Sequence, residues 1–282
     1  MSPTRRGAGR THSGSSEDEP LDRGEAAFTG AAAYYGRYRR GYPAELIARL
    51  RRFNRGGTGR LLDLGCGTGQ FLLELAGSFA DCIGVDPDQD MLREATRLAH
   101  ARSVANARWI EAGSRDLSRL KADLGRFDLV TIGTAFHFMK PRATLTALKQ
   151  IIAPGGGVVV AYSGSPMWLH SDPWAKALRA ALESRLGPLR DLDVAAEGVR
   201  VCETTMRDLG YVHVERWEHT YQDTIDIDFI VGHILSASSL DQIPLRERPL
   251  LSEHLREAIA EAAPSHRVTE TVVVRAKIGR AS

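Results

Sequence analysis

Between residues 59 and 163 the chain alternates short apolar runs with longer stretches whose apolar positions fall three and four residues apart. The runs Leu61-Leu62-Asp63-Leu64, Cys82-Ile83-Gly84-Val85, Phe127-Asp128-Leu129-Val130-Thr131-Ile132 and 158–162 carry apolar residues on both parities, the pattern of strands buried on both faces. A weaker run at 108–111 supplies one more. Between them, residues 71–76, 89–101 and 145–152 read as helices; in the second, Met91, Leu92, Ala95 and Leu98 share one face, and Asp86-Pro87-Asp88 stands at its start. Strand following helix in this order predicts an α/β fold with a doubly wound, mostly parallel sheet.

Beyond Tyr162 the alternation loosens. Residues 164–194 hold Pro166, Trp168, His170, Pro173 and Trp174 and then one helix at 175–186, which reads as an insertion. Residues 195–282 finish the sheet with a helix at 197–209 and strands at 212–217 and 269–277. The helical segment 225–263 between those strands is too long for an ordinary connection. The two insertions are expected to form a lid over a pocket. At the other end, residues 1–25 are Ser, Gly, Arg and acid with hardly any apolar content, so disorder is expected there. Residues 26–58 contain a helix at 44–53 preceded by interleaved aromatics and arginines.

The first strand runs into Gly65-Cys66-Gly67-Thr68-Gly69-Gln70, with glycine at alternate positions. Such a turn admits positive φ and lets main-chain N–H groups approach a ligand. A dinucleotide fingerprint would place its third glycine at residue 70, which is Gln70. Asp86 ends the second strand about 20 residues on, where such folds bind ribose hydroxyls. By itself Asp86 does not separate a nicotinamide nucleotide from another adenosine cofactor.

Asp63, Gly65, Gly67 and Gly69 together resemble the first motif of the class I S-adenosylmethionine-dependent methyltransferases, and the chain is similar to their small-molecule group. The similarity extends to Tyr35, Tyr38, Arg39, Tyr42 and Pro43, which match a segment that in the family covers the cofactor, and to the Pro-Gly-Gly at 154–156. The resemblance implies a Rossmann-like, seven-stranded sheet with helical lid insertions. It implies S-adenosyl-L-methionine held at residues 59–163, around Asp63, Gly65, Cys66, Gly67 and Gly69. Further contacts are expected from Asp86, Pro87 and Met91 beyond the second strand and from Ser114 and Arg115 beyond the third. Thr134 and Ala135 would stand beyond the fourth, with Tyr35 and Arg39 of residues 26–58 as cover. Where the family usually has Gly-Asp-Ala-Glu-Asp-Leu around the adenine, this chain has Ala112-Gly113-Ser114-Arg115-Asp116-Leu117, so adenine recognition is expected to lean on backbone groups.

Composition narrows the acceptor. A formal net charge of +2 over 282 residues gives no electrostatic case for a nucleic-acid or membrane partner. No Asn/Asp-Pro-Pro-aromatic segment follows the fourth strand to hold a flipped base. Cys66, Cys82 and Cys202 have neither disulfide nor metal-site spacing, and no metal is expected. No run approaches the roughly 20 apolar residues of a membrane span, and a cytoplasmic protein is expected. The reading is a methyltransferase for a small, biosynthetic or natural-product acceptor. Its rivals are a nucleic-acid methyltransferase, a protein that binds the cofactor without turnover, and a nicotinamide-dependent oxidoreductase. His137, beyond the fourth strand, is the first candidate for a base, and His170 the second. Pocket wall is an equal reading of His137, because an amine or an ionised acceptor needs no protein base. Phe136, Phe138, Trp168 and Trp174 are candidate walls.

Overall fold

The computed structural model describes residues 30–281 except 55, 192, 238, 239, 241 and 242. The expected disorder of residues 1–25 falls outside the described residues. Seven strands form one sheet: β1 (Arg60–Leu64), β2 (Asp81–Asp86), β3 (Ala107–Glu111), β4 (Phe127–Gly133), β5 (Ile152–Ser163), β6 (Val212–Asp226) and β7 (Arg267–Arg280). Their order is β3-β2-β1-β4-β5-β7-β6, parallel throughout except β7, which runs antiparallel to both of its neighbours.

The consecutive apolar residues sort by parity onto two faces. Leu62, Leu64, Ile83, Val85, Val130 and Ile132 pack under α5 (Leu117–Leu124), α6 (Pro141–Ile151) and α8 (Val194–Asp208). Leu61, Cys82, Leu129, Val159 and Ala161 pack under α2 (Ala44–Arg51), α3 (Gln70–Leu75) and α4 (Gln89–Ala101). Period-two side-chain alternation is the whole reason an unbroken apolar run serves a sheet covered on both sides.

Two strands differ from expectation. β5 begins at Ile152, which pairs with Phe127, and pairing resumes at Gly157 with Leu129, so the Pro-Gly-Gly segment is a bulge within the strand and not a loop before it. β6 extends to Asp226 and not to residue 217. It is the edge strand and mostly exposed, so its continuation, His219-Thr220-Tyr221-Gln222-Asp223-Thr224, has no apolar run to announce it.

The extra length of β6 matters for the site. β5 ends where Ser163 pairs with Val274, while β6 and β7 continue to the pair Asp226–Arg267. A two-stranded arm thus projects beyond the carboxyl ends of the parallel strands. Around its tip, Ile225 and Val268 join a third apolar cluster built by α7 (Pro173–Leu186), α9 (Ile227–Leu235) and α10 (Arg248–Ala262). Leu178 and Leu182 of α7 meet Ile230 and Ile234 of α9 and Leu255 and Ile259 of α10, so the two inserted segments share one core.

The short helix α1 (Ala32–Tyr38) docks on this helical layer. A Cβ built on Gly232 of α9 would lie 2.3 Å from the Tyr38 ring, which also sits edge-on to Phe229 at 6.2 Å. Arg40 donates to Asp223 at 3.0 Å and to the buried Glu270 at 2.5 Å, both on the arm. Among the described residues no helix is long and apolar enough to cross a membrane.

Candidate active site

β1 delivers the chain into the glycine turn at the carboxyl edge of the sheet. Gly65, Gly67 and Gly69 have φ of +67°, +52° and +88°, which only glycine adopts without strain. Their N–H groups do not face outward as the sequence suggested. Gly65 and Cys66 donate to the Val85 carbonyl at 2.8 and 3.1 Å, Gly67 to Asp86 Oδ2 at 2.8 Å, and Gly69 to the Cys66 carbonyl at 2.8 Å. Curvature and clearance, rather than free amides, are therefore what the glycines supply.

Two buried carboxylates flank this turn. Asp63 accepts from Thr131 Oγ1 at 2.7 Å and from the Leu72 amide at 3.3 Å, yet burial pushes its pKa up to about 7. Asp86 accepts from the Gly67 amide and, at 2.9 Å, from the Asp88 amide, and burial raises it to about 6. Neither forms a salt bridge among the described residues.

The cover lies directly above. Tyr35 Cε1 stands 3.6 Å from the position of a Cβ on Gly67, and the Arg39 guanidinium sits 5.0 Å from the Tyr35 ring centroid. Arg39 Nε donates to Ser236 Oγ at 2.7 Å and has no carboxylate partner among the described residues. Tyr42 stacks on Phe71 with centroids 3.6 Å apart, and its hydroxyl lies 3.4 Å from Thr134 Oγ1. Thr134 itself has φ of +51°, a strained backbone for a β-branched residue.

Two adjoining cavities open here. A small one lies between cover and turn, bordered by Tyr35, Arg39, Tyr42, Asp63, Gly65 and Cys66. A larger one of about 360 Å³ extends under the inserted helices, with Phe138, Tyr162, Met167, Trp168, Leu186 and Leu189 in its walls. Tyr35, Arg39, Arg40, Thr134, Ser163 and His233 border both.

The residues expected at the site thus fall into three groups. Tyr35, Arg39, Asp63, Gly65, Cys66 and Thr134 surround the small cavity, with Gly67 and Gly69 in the turn and the Ala135 methyl 2.6 Å from the Cβ position of Gly65. Asp86, Pro87 and Met91 follow β2, while Ser114 and Arg115 follow β3. These two strand ends are tied by the Ala112 amide donating to the Asp86 carbonyl at 3.1 Å, so the group continues the same edge of the sheet without bordering either cavity. Within it Pro87 and Arg115 are exposed and Met91 is buried. The Gly113 amide, one of the backbone groups available after β3, donates to Asp116 at 2.9 Å.

The third group is the candidate bases. His137 borders the larger cavity, on a 3-10 turn after β4, its ring 4.0 Å from that of Phe138. His170, the second candidate, borders neither cavity. Its Nε2 is buried 3.4 Å from Glu270 Oε1 and its ring packs 5.9 Å from Trp174, an arrangement that braces the arm. Phe136 and Trp174 are core, whereas Phe138 and Trp168 are walls. Sequence reasoning missed His233, Arg40 and Tyr162. His233 did leave a signal, as the lone basic side chain of the apolar helix Ile-Asp-Phe-Ile-Val-Gly-His-Ile-Leu.

These residues fit the implied cofactor. A cradle that a side chain on Gly67 would obstruct lies beneath an aromatic cover. Its buried carboxylates, raised by desolvation, are suited to an ammonium and to ribose hydroxyls, and Arg39 lacks a carboxylate. Sheet order, glycine turn and cover are those that the resemblance to the class I S-adenosylmethionine-dependent methyltransferases implies. Consistently, residues 61–156 match the family described as "Methyltransferase domain".

Among known proteins, the Saccharomyces cerevisiae "Probable S-adenosylmethionine-dependent methyltransferase CRG1" is 29% identical over 126 residues, 44% of this chain and 43% of that protein. The tRNA U34 carboxymethyltransferase of Azotobacter vinelandii is 33% identical over 103 residues, 36% of this chain and 31% of that one. The chain thus spans less than half the length of either. A solved S-adenosylmethionine-dependent methyltransferase from Thiobacillus denitrificans, in complex with S-adenosyl-L-homocysteine, shares the fold with a TM-score of 0.51 and 20% identity over 90% of this chain and 98% of that one.

Proposed function

We propose that this protein transfers the methyl group of S-adenosylmethionine to a small organic acceptor, of the kind met in biosynthetic or natural-product chemistry. The observation that carries this reading is the cavity of about 360 Å³ adjoining the cofactor crevice, walled by Phe138, Trp168, Leu186 and Leu189. It has the size and lining of a small-molecule site.

When bound, the cofactor supplies an activated methyl group on a sulfonium. The chain's residues bind, orient and exclude water. Gly65 to Gly69, Asp63, Asp86 and Arg39 are the groups we assign to holding the cofactor, with Pro87, Met91, Ser114 and Arg115 on the adenosine side and Thr134 and Ala135 toward the acceptor. Residues 26–58 act as cover, residues 59–163 as the binding core, and residues 164–194 and 225–263 as a lid. The shared core of α7, α9 and α10 supports treating the two insertions as one lid. His137 faces the acceptor side.

The experiment is an acceptor screen with labelled S-adenosylmethionine and product mass, run beside bulk tRNA and DNA. Methylation of nucleic acid alone would overturn the reading. Tight cofactor binding with no turnover on either panel would turn it toward a binding protein.

A further inference from the structure

We infer that His233 is the catalytic residue that takes the acceptor's proton, and that the group methylated is a hydroxyl on an otherwise apolar molecule. This deepens the small-molecule reading above and rests on it.

Six side chains border both cavities and so stand where cofactor and acceptor meet. Arg39 and Arg40 can only donate. Ser163 and Thr134 hydroxyls take no proton at neutral pH, and Tyr35 is held protonated by burial. That leaves the imidazole of His233.

Its tautomer is fixed by a partner that can only accept. His233 Nδ1 lies 3.3 Å from the Tyr38 carbonyl oxygen, so Nδ1 carries the hydrogen and Nε2 the lone pair. Among the described residues no protein donor occupies Nε2. Burial first, then the positive Arg39 and Arg40, hold the ring unprotonated against the pull of the Tyr38 bond. The other groups around it are Phe229, 6.1 Å away, and the partners of the two arginines: Ser236 for Arg39, Asp223 and Glu270 for Arg40.

A base kept neutral this way is weak, which suits oxygen. As the acceptor oxygen bonds to the methyl carbon, the carbon–sulfur electron pair stays on sulfur and the oxygen becomes oxonium-like, far more acidic than imidazolium. Its proton passes to Nε2 and on to water. An aliphatic amine would arrive protonated at neutral pH, beside two guanidiniums, and the apolar walls would not compensate that repulsion. His137 borders only the larger cavity, and its backbone is wedged against Gly198, where a Cβ would lie 3.2 Å from His137 Cβ.

Two measurements decide it. The protein labelled with ¹⁵N-histidine is expected to show His233, assigned by its loss in His233→Asn, as the neutral Nδ1–H tautomer from pH 6 to 8. An Nε2–H tautomer or an imidazolium at pH 7 would overturn the proposal with no acceptor needed. For turnover, the probes are a panel of monophenols and the corresponding benzylamines. Asparagine can keep the donor to Tyr38 but has no Nε2, so His233→Asn should lower kcat on phenols by about 100-fold or more while cofactor affinity stays within about tenfold. His233→Gln, which keeps the length of the side chain, should be equally slow. Phenol turnover within tenfold of wild type in both variants, or turnover of benzylamines only, would refute the assignment. If wild type methylates only nucleic acid, the function proposed above has failed, and the tautomer still reports on His233.

Discussion

Tyr35 lies over the glycine turn, where a Cβ on Gly67 would stand 3.6 Å from its ring. Gly67 also has φ of +52°. Gly67→Val therefore meets two obstacles, a branched side chain in left-handed backbone and the loss of the space beneath the cover. Cofactor affinity, measured by calorimetry, should fall by at least tenfold. Unchanged affinity in a folded variant would mean the crevice holds another ligand.

Gly232 touches neither cavity, yet its substitution should reach the cofactor. A Cβ there would come within 2.3, 2.4 and 2.5 Å of three Tyr38 ring atoms, so Gly232→Ala must displace the helix that carries Tyr35 and leads into Arg39. Overpacking of this kind costs about 1–3 kcal/mol, which corresponds to roughly 5- to 150-fold in affinity if it falls on the covered state. Cofactor titration of Gly232→Ala tests this directly. A normal affinity would show that the cover does not contribute to binding.

Glu270 ties the cover to the arm. It is 1% exposed, accepts from Arg40 at 2.5 Å and faces His170 at 3.4 Å. Removing one partner of a buried pair costs about 3–5 kcal/mol, so Glu270→Ala should lower the melting temperature sharply. His170→Ala should also lower it, by less, and should leave the pH profile of the rate unchanged. An ionisation that disappears in His170→Ala would restore that residue as a base.

The sheet was legible because its strands announce themselves by consecutive apolar residues. The turn was legible because glycines at 65, 67 and 69, set between an apolar strand and a helix, mark backbone that must take positive φ. The helix predicted at 89–101 was found with the same bounds. The arm was not legible: β6 is an edge strand whose polar residues face water, and burial is the only signal sequence periodicity carries. That omission hid the site's other half, since Asp223 and Glu270, which hold Arg40, stand on the arm. His233 stood out in sequence as the lone basic side chain of an apolar helix, but its place at the site follows only from the packing of α9 against α1. The outward N–H groups expected of the glycine turn were wrong for a related reason, because Asp86 and Val85 reach back to them across a fold contact.

Asp63 offers the sharpest pH test. Its carboxyl has a folded pKa raised to about 7 from 3.8 by burial, so between about pH 4 and 7 the unfolded chain gives up its proton first and the folded state holds more protons. Stability of the cofactor-free protein should therefore fall as pH rises through that window, by on the order of a few kcal/mol, and level off above it. Asp86, raised to about 6, adds a smaller fall of the same sign between about pH 4 and 6. In Asp63→Asn the Asp63 component vanishes, so denaturant melts at pH 8 should show the variant gaining on wild type relative to pH 5. Asp63 is among the groups assigned to holding the cofactor, and a pairing with the cofactor's ammonium would lower its pKa. Wild-type protein at pH 6 should then release protons on binding S-adenosylmethionine, read as a dependence of the calorimetric heat on the buffer's ionisation enthalpy, and Asp63→Asn should bind more weakly with less release. Parallel stability curves for variant and wild type, together with equal proton release, would show that Asp63 is ionised throughout and takes no part in either process.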